Sequence, residues 1–183
     1  MAIITRKCFI SYHHADRDEV DAFVRLFDPE RSAFIMREAG YEMAQDIIDS
    51  DDTGYVMQRV RELYLRDSVV TVVLLGRNTW TRRDIDWEIQ ASLRSAMAES
   101  PNGLLGIKLP SYPRQGSSFP CRLNLNLKQF DQQEDCYARW IEYPTNEDSL
   151  LEAIESAYQR RATHTKWINN PRDRMREDKQ SIG

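Results

Sequence analysis

Residues Val69-Val-Thr-Val-Val-Leu-Leu75 form a continuous apolar run that ends at Gly76. A run of this length, rich in β-branched residues, is typical of a strand that is buried on both faces of a parallel sheet. A short polar segment, residues 77–80, follows, and the pattern then changes to that of a helix. Strand, loop and helix in this order predict a βα unit in the middle of the chain.

The helix after this strand carries Glu88. Thr81 is predicted to cap its N-terminus, with Asp84 three residues later in a capping-box-like arrangement. Its apolar face is expected to pack on the sheet and comprises Ile85, Ile89, Leu93 and Ala96. Glu88 lies roughly 60° from this stripe at 100° per residue, which predicts a position at the edge between core and solvent.

The surroundings of Glu88 within its own helix contain no cation. The residues three and four positions away are Asp84, Ile85, Ala91 and Ser92. Repulsion from Asp84 is expected to raise the pKa of Glu88. An unpaired carboxylate at the C-terminal edge of a sheet is placed to act on a ligand, whereas most helical glutamates are solvated surface residues. Periodicity alone leaves both interpretations open.

Similar patterns alternate along the rest of the chain. Four further strands are predicted, over residues 7–12, 33–36, 104–109 and 137–143. Amphipathic helices are predicted from Ala15, around residues 56–64, and from Asn146, which is a candidate N-cap. Two segments are predicted to lack regular structure, the acidic residues 41–53 and the proline-containing residues 110–120.

This alternation predicts an α/β protein with a three-layer, flavodoxin-like fold. The expected sheet is parallel, has about five strands in the order 2-1-3-4-5 and carries helices on both faces. Such folds bind ligands where the strand order reverses, at the C-terminal ends of strands 1 and 3. Residues 11–14 and 76–80 follow those two ends, so both segments are expected to converge on the mouth that Glu88 borders.

Length and composition limit the domain count and the classes of partner. A chain of 183 residues with 41% hydrophobic residues is expected to form one domain, residues 1–164, followed by a polar, basic and peripheral or mobile tail, residues 165–183. The net charge of −4 predicts neither nucleic-acid nor membrane binding. A cytoplasmic protein is expected, because neither a signal peptide nor a membrane span is recognisable.

Several kinds of site are disfavoured by the sequence. The three cysteines lack metal-like spacing, and Cys8 is expected to be a small core residue, so no metal is predicted. Neither a Gly-x-Gly-x-x-Gly motif nor a Walker loop is present, which disfavours a redox dinucleotide domain and an NTPase. A phosphorylated receiver would need an aspartate where Gly76 and Arg77 stand.

Two segments of the chain resemble TIR domains. Lys7-Cys-Phe-Ile-Ser-Tyr-His-His-Ala-Asp16 resembles the opening strand and loop of that family. The strand at 69–75, Trp80 and Trp87-Glu88-Ile89 resemble its third strand and its Trp-x-x-Glu-Leu helix. The resemblance covers roughly residues 7–160 and is greatest to the compact subgroup that includes the TIR subunit of the bacterial Thoeris anti-phage system. The usual Pro-Gly-containing loop has no counterpart in residues 41–53.

The resemblance implies that the chain processes NAD⁺, as many bacterial members do, with NAD⁺ as a substrate and no further cofactor. It makes Glu88 the essential glutamate. The expected pocket residues are Phe9, Ser11, Tyr12, His13, Arg77, Asn78 and Trp80. The expected partners are a separate effector that reads the product and an activator, which is either a phage-derived partner or further copies of the chain in a homo-oligomer. Activation is expected because the chain has only one core and no regulatory domain. Weak or absent basal turnover is expected before activation.

The implied chemistry needs only one acidic residue. Cleavage of the nicotinamide–ribose bond passes through an oxocarbenium-like state, and nicotinamide leaves as a neutral pyridine, so no general acid is required. One carboxylate can stabilise the developing cation. Capture by water would yield ADP-ribose, and capture by the distal ribose would yield a cyclic ADP-ribose isomer. The resemblance favours the cyclic product.

Several of the candidate site residues also have ordinary structural interpretations. Tyr12 and Trp80 could stack on the substrate rings, although Trp80 and Trp87 are more often packing residues. Arg77 could bind pyrophosphate. The ordinary alternative is a solvent-exposed arginine just before the helix, with no ligand. The serious alternative to an enzyme is a non-catalytic TIR-like adaptor or nucleotide-binding scaffold that acts by self-association. Glu88 distinguishes the two, because a scaffold has no need of it.

Overall fold

A five-stranded sheet runs through the centre of the molecule. The computed structural model describes residues 6–36, 43–94, 100–128 and 134–180. The strands are β1 (Cys8–Tyr12), β2 (Phe34–Ile35), β3 (Val70–Leu75), β4 (Gly103–Lys108) and β5 (Arg139–Ile141). All four neighbouring pairs are parallel and the order is β2-β1-β3-β4-β5. The predicted α/β, flavodoxin-like fold is confirmed.

Helices cover both faces of this sheet. They are α1 (Arg17–Phe27), α2 (Gln45–Asp49), α3 (Thr53–Val60), α4 (Arg83–Ser92), α5 (Cys121–Asn126) and α6 (Glu147–Thr163). Helices α1 and α6 pack on one face, and α3, α4 and α5 pack on the other. Within the described ranges, none of these helices is both long and apolar enough to cross a membrane.

Alternation along β1 assigns its side chains to the two faces. Cys8, Ile10 and Tyr12 join the core under α1 and α6. Phe9 lies in the opposite core, which α2, α3 and α4 help to form. Ser11 points to the same side, since it is hydrogen-bonded to α4. Cys8 is completely buried, so its predicted place in the core is confirmed.

Both predicted apolar helix faces lie in the cores. In α1, the stripe on one side of the sheet comprises Val20, Phe23, Val24 and Phe27. In α4, Ile85 and Ile89 pack with Leu93 against the other side, beside Leu123 of α5. Ala96, the last residue of the predicted α4 stripe, lies outside the described residues.

One helix is capped at its N-terminus by a neighbouring residue and another by a residue far along the chain. Asn146 caps α6 as predicted, because its Oδ1 accepts a hydrogen bond from the Ser149 amide at 2.9 Å. The predicted cap of α4 is wrong. Thr81 lies in a 3-10 turn, and its hydroxyl donates to the Asn78 carbonyl at 2.7 Å. The first helical amide, Arg83 N–H, instead donates to the carboxylate of Asp178 at 2.8 Å.

The acidic segment 41–53 contains helix rather than only loop, which corrects the prediction. Residues 41–42 lie outside the described part, but α2 forms one short helix and α3 begins at Thr53. Ile47 anchors α2 and is completely buried. Asp52 caps α3 by accepting from the amides of Gly54 at 2.8 Å and Tyr55 at 3.2 Å. Acidic residues in this segment therefore cap a helix or lie on its outer face, although their composition by itself suggests a loop.

Helix α5 was not predicted, and its shortness explains this. It spans Cys121–Asn126 and begins directly after Pro120, within a part of the chain that has little helical periodicity. The spacing of Leu123 and Leu127, both completely buried, is the one local signal for it.

Residues 169–179, named here the C-terminal strap, lie across α4 rather than away from the domain. The Trp87 indole donates to the Met175 carbonyl at 2.7 Å, and the Met175 amide donates to Asp86 at 2.8 Å. The Lys179 amide donates to the Thr81 carbonyl at 2.8 Å. Main-chain hydrogen bonds to buried polar groups of α4 thus hold the strap against the domain, while most of its residues stay exposed at the surface. The division at residue 164 stays a prediction.

Candidate functional site

Glu88 is buried, with only 3% of its surface exposed. The prediction that it borders solvent is therefore wrong. Every residue of α4 from Asp84 to Ser92 is buried, because the helix packs between the sheet, α3, α5 and the C-terminal strap. The side of α4 that carries Glu88 faces Ser11 of β1, and the strap covers the opposite side, which carries Asp86 and Gln90.

The hydroxyl of Ser11 joins β1 to Glu88. Ser11 Oγ donates a hydrogen bond of 2.5 Å to Glu88 Oε2, and both residues are buried. Ser11 stands next to the last residue of β1, and β1 is paired directly with β3. The contact therefore lies beside the point where the strand order reverses, and it joins two of the residues that the sequence analysis placed in one site.

The environment of Glu88 favours its protonated form. Burial raises the pKa of Glu88 well above its usual value, and the negative charge of Asp84 raises it further. The hydrogen bond from Ser11 acts in the opposite direction, because it stabilises the carboxylate. The predicted effect of Asp84 is confirmed. A carboxyl group whose pKa is raised in this way is suited to accept a proton once it is ionised.

The loops after β1 and β3 touch each other. The carboxylate of Asp16 lies against the Cα of Gly76, at the place that a Cβ atom would occupy. The hydroxyl of Thr79 accepts a hydrogen bond from the Gly76 amide at 2.8 Å. Asp16 Oδ2 is buried and has no hydrogen-bond partner among the described residues. The sequence patterns indicate no role for Asp16, although it ends the segment 7–16 that resembles TIR domains.

The two aromatic candidates in β1 lie in separate cores. Phe9 is completely buried beside Trp87, on the α4 side of the sheet. Tyr12 is 8% exposed and belongs to the core under α1, so its ring lies on the other face from Ser11. Burial raises the pKa of Tyr12, and the negative charge of Asp21 raises it further. Trp87 is a packing residue, as expected.

The remaining candidates stand nearer the surface. Arg77 is exposed, and Asn78 and Trp80 are partly buried in the loop after β3. His13 is partly buried, and its Nδ1 accepts from the Ala15 amide at 3.2 Å. Burial lowers the pKa of His13 to about 4, with the positive charge of Arg82 as the next cause, so the ring is neutral at pH 7.

Comparison with known families identifies the chain. The family model of the Thoeris protein ThsB, TIR-like domain, matches residues 9–114, which is more than half of the 183 residues. The chain belongs to this family. It is a TIR protein of anti-phage defence. A comparison with curated proteins finds no match.

The matched region of this TIR protein includes both partners of the central contact, Ser11 and Glu88. Helices α5 and α6, strand β5 and the C-terminal strap lie outside it. The strap nevertheless reaches the mouth of the site, because Asp178 pairs with Arg82 at 2.6 Å. Both residues also contribute to the electrostatic surroundings of His13. In the described ranges, His, Cys, Asp and Glu side chains form no group of three that could hold a metal ion.

Proposed function

We propose that this TIR protein cleaves the nicotinamide–ribose bond of NAD⁺ and forms a cyclic ADP-ribose isomer, which a separate effector reads. The observation that carries the proposal is the buried carboxyl group of Glu88, held by Ser11 beside the strand-order reversal. A buried acid with a strongly raised pKa costs stability, so its presence in a ligand-binding region of the fold favours a functional role.

The reaction assigns Glu88 two successive roles. NAD⁺ brings a positive pyridinium ring, whose charge favours the ionised form of Glu88 when the two are close. As the C1′–N bond breaks, nicotinamide takes the bonding electrons and leaves neutral, and the carboxylate stabilises the cation that develops on the ribose. A hydroxyl oxygen of the distal ribose then bonds to C1′ and releases its proton to Glu88. The high pKa of Glu88 suits it to accept that proton.

The burial of Glu88 also supports activation by a partner. With 3% of Glu88 exposed, NAD⁺ can reach the carboxyl group only after the residues that cover it move. We therefore expect the purified protein to consume NAD⁺ slowly, and a phage-derived partner or self-association to accelerate it. Initial rates of NAD⁺ loss, measured with and without extract from infected cells, test this expectation. Fast constitutive turnover by a purified monomer would contradict it.

The decisive experiment compares three proteins in cells that are challenged with phage: the wild type, Glu88→Gln and the control Glu152→Gln. Glu152 is an exposed residue of α6, so its substitution makes the same chemical change on the surface. Mass spectrometry of cell extracts follows NAD⁺, ADP-ribose and its isomers. We expect a cyclic isomer in the wild type and the control, and its absence in Glu88→Gln. Linear ADP-ribose alone would indicate hydrolysis instead of cyclisation.

The same burial favours one second candidate, a TIR-like adaptor or nucleotide-binding scaffold that acts by self-association. In that case the contact between Ser11 and Glu88 would only connect β1 with α4. The experiment separates the two functions. If the wild type and Glu88→Gln protect cells equally and give identical extracts across several phages, the enzyme proposal fails and the scaffold takes its place.

A further inference from the structure

A cavity lies on the side of α4 that faces away from Glu88. Its volume is about 290 Å³, and it is lined by Thr53, Gly54, Gln90, Arg94, Asn170 and Arg172. The walls therefore come from the start of α3, the end of α4 and the C-terminal strap. Gln90 follows Glu88 by two residues, which places the two side chains about 200° apart around the helix.

The side chain of Gln90 leaves an acceptor unsatisfied in this wall. Gln90 is 3% exposed, and its Nε2 donates to the carbonyls of Pro171 at 3.1 Å and Arg172 at 3.0 Å. These two acceptors fix the orientation of the amide, since a flipped group would place its oxygen against them. Oε1 is buried and has no hydrogen-bond partner within the described parts of the chain. A buried acceptor without a partner costs free energy, so a group that donates a hydrogen bond to it would be stabilising.

The charged side chains of the cavity wall are both cations. The guanidinium of Arg94 makes one long contact, of 3.4 Å, with the Gly54 carbonyl. The Arg172 side chain is exposed and forms neither a hydrogen bond nor an ion pair with the residues that the structure describes. Two guanidinium groups at one cavity favour an anion with several oxygens, above all a phosphate group.

The nearby carboxylates are already engaged. Asp52 accepts hydrogen bonds from the backbone amides of Gly54 and Tyr55 at the start of α3, so those amides are not free to bind a ligand. Asp51 pairs with Arg176 at 3.2 Å. Recognition of an anion therefore depends on the two arginines of the wall, and recognition of a donor depends on Gln90.

We propose that this cavity binds a small phosphorylated sugar, with the phosphate on Arg94 and Arg172. Because Gln90 Oε1 is buried in the wall, a sugar hydroxyl donates to it after a small adjustment of the side chains around it. The cavity volume is at the lower end of the range for small-molecule sites, about 300–1,000 Å³, which suits a monosaccharide phosphate better than a whole dinucleotide. The site is separate from Glu88 and does not depend on the function proposed above.

Titration of the isotope-labelled full chain, followed by two-dimensional NMR, tests this site with three probes: ribose 5-phosphate, ribose and inorganic phosphate. We expect saturable chemical-shift changes that include the side-chain amide of Gln90. Ribose 5-phosphate should bind about tenfold more tightly than either of the other two probes, because one further satisfied hydrogen bond corresponds to about that factor. Arg172→Gln should weaken the binding of ribose 5-phosphate about tenfold. Arg94→Gln is a second variant with the same expectation.

Two matched variants serve as controls. Arg25→Gln makes the same change on an exposed residue of α1, on the other face of the sheet, and should bind as the wild type does. Glu88→Gln should also leave the affinity unchanged. The proposal is overturned if no probe gives saturable shifts, which would mean that the cavity holds only water. Equal affinity for phosphate and ribose 5-phosphate overturns it too, as does loss of binding in Glu88→Gln with retention in Arg172→Gln.

Discussion

At the scale of single residues, Glu88 combines a structural cost with a chemical use. Placing a carboxyl group inside the molecule disfavours its charged form, and the fold compensates with only one described side-chain donor, Ser11. The protonated group is the form that this environment stabilises. A ligand that carries positive charge would reverse the preference, which couples substrate binding to ionisation of the residue.

The raised pKa of Glu88 predicts a specific pH dependence of stability. Between the ordinary pKa of 4.5 and the raised value, the folded state holds a proton that the unfolded state has lost. The free energy of unfolding therefore falls as the pH rises through this window and levels off above the raised pKa. Glu88→Gln removes the titration, so its stability relative to the wild type should increase with pH, by at most about 1.4 kcal/mol per unit.

Urea denaturation of the wild type and Glu88→Gln between pH 5 and pH 8 measures this difference. Glu152→Gln is the control, because the same substitution at an exposed site should give a curve parallel to that of the wild type. Parallel curves for Glu88→Gln as well would mean that the pKa of Glu88 is not raised in the folded protein.

Residue patterns predicted the identity of the central pair but not its environment. Ser11 and Glu88 were both assigned to the site, and the structure joins them at 2.5 Å. The burial of Glu88 is not predicted, because α4 has no side that faces solvent: Glu88 lies against Ser11 of β1, and the strap covers the opposite side of the helix. Local periodicity contains no information on such distant coverage.

At the scale of elements, strand β4 approaches α6 so closely that a side chain is excluded. A Cβ atom at Gly103 would overlap the backbone carbonyl of Ala157, which cannot move without shifting α6. At Gly106 the nearest atoms are side-chain methyl groups, Leu123 Cδ2 at 3.1 Å and Leu75 Cδ1 at 3.2 Å, which can adjust. The two glycines in one strand therefore differ in what surrounds them.

Gly103→Ala should destabilise the protein by about 1–3 kcal/mol, the usual cost of overpacking, or by more if α6 has to move. Gly106→Ala is the matched comparison and should cost clearly less. Thermal unfolding of both variants beside the wild type measures the difference. Equal losses would contradict a close approach of α6 to Gly103.

The start of α4 depends on an element that lies far away in sequence. Asp178 of the C-terminal strap accepts a hydrogen bond from the Arg83 amide and forms an ion pair with Arg82. It therefore takes the place of a local N-cap. Asp178→Asn removes the negative charge from the positive end of the helix dipole. We expect a loss of about 1 kcal/mol at low salt.

This loss should become smaller at high salt, since Asp178 is partly exposed and its charge is screened. Asp173→Asn is the matched control, as it makes the same change within the strap at a residue whose described hydrogen bond uses only its backbone carbonyl. Denaturant titration at two salt concentrations measures both variants. A loss in Asp173→Asn as large as that in Asp178→Asn would show a general charge effect.

At the scale of the whole molecule, Arg122 connects the domain with the strap. It forms a buried ion pair with Asp86 at 2.9 Å. Its other nitrogens donate to the strap carbonyls of Pro171 at 2.8 Å and Asp173 at 2.7 Å. Without the strap, these donors would lose their partners, and the indole of Trp87 would lose its acceptor.

A chain that ends at residue 164 should therefore be less stable than the full chain by more than about 3 kcal/mol, since several buried donors lose partners at about 1–3 kcal/mol each. Urea denaturation compares it with the full chain and with a control that ends at residue 180, which keeps the whole strap. Equal stability of the shorter chain would contradict a structural role of the strap and support a domain that is complete at residue 164.

Local patterns in the sequence predict the parallel sheet, its strand order, the apolar faces of α1 and α4 and the two residues of the central contact. These features depend on periodicity and on motifs whose residues lie close together in the chain. Three other features are visible in the folded molecule alone: Glu88 is buried, Asp178 caps α4, and Gln90 has an unsatisfied oxygen beside two arginines. Each of these depends on contacts between residues far apart in sequence, for which local patterns carry no signal.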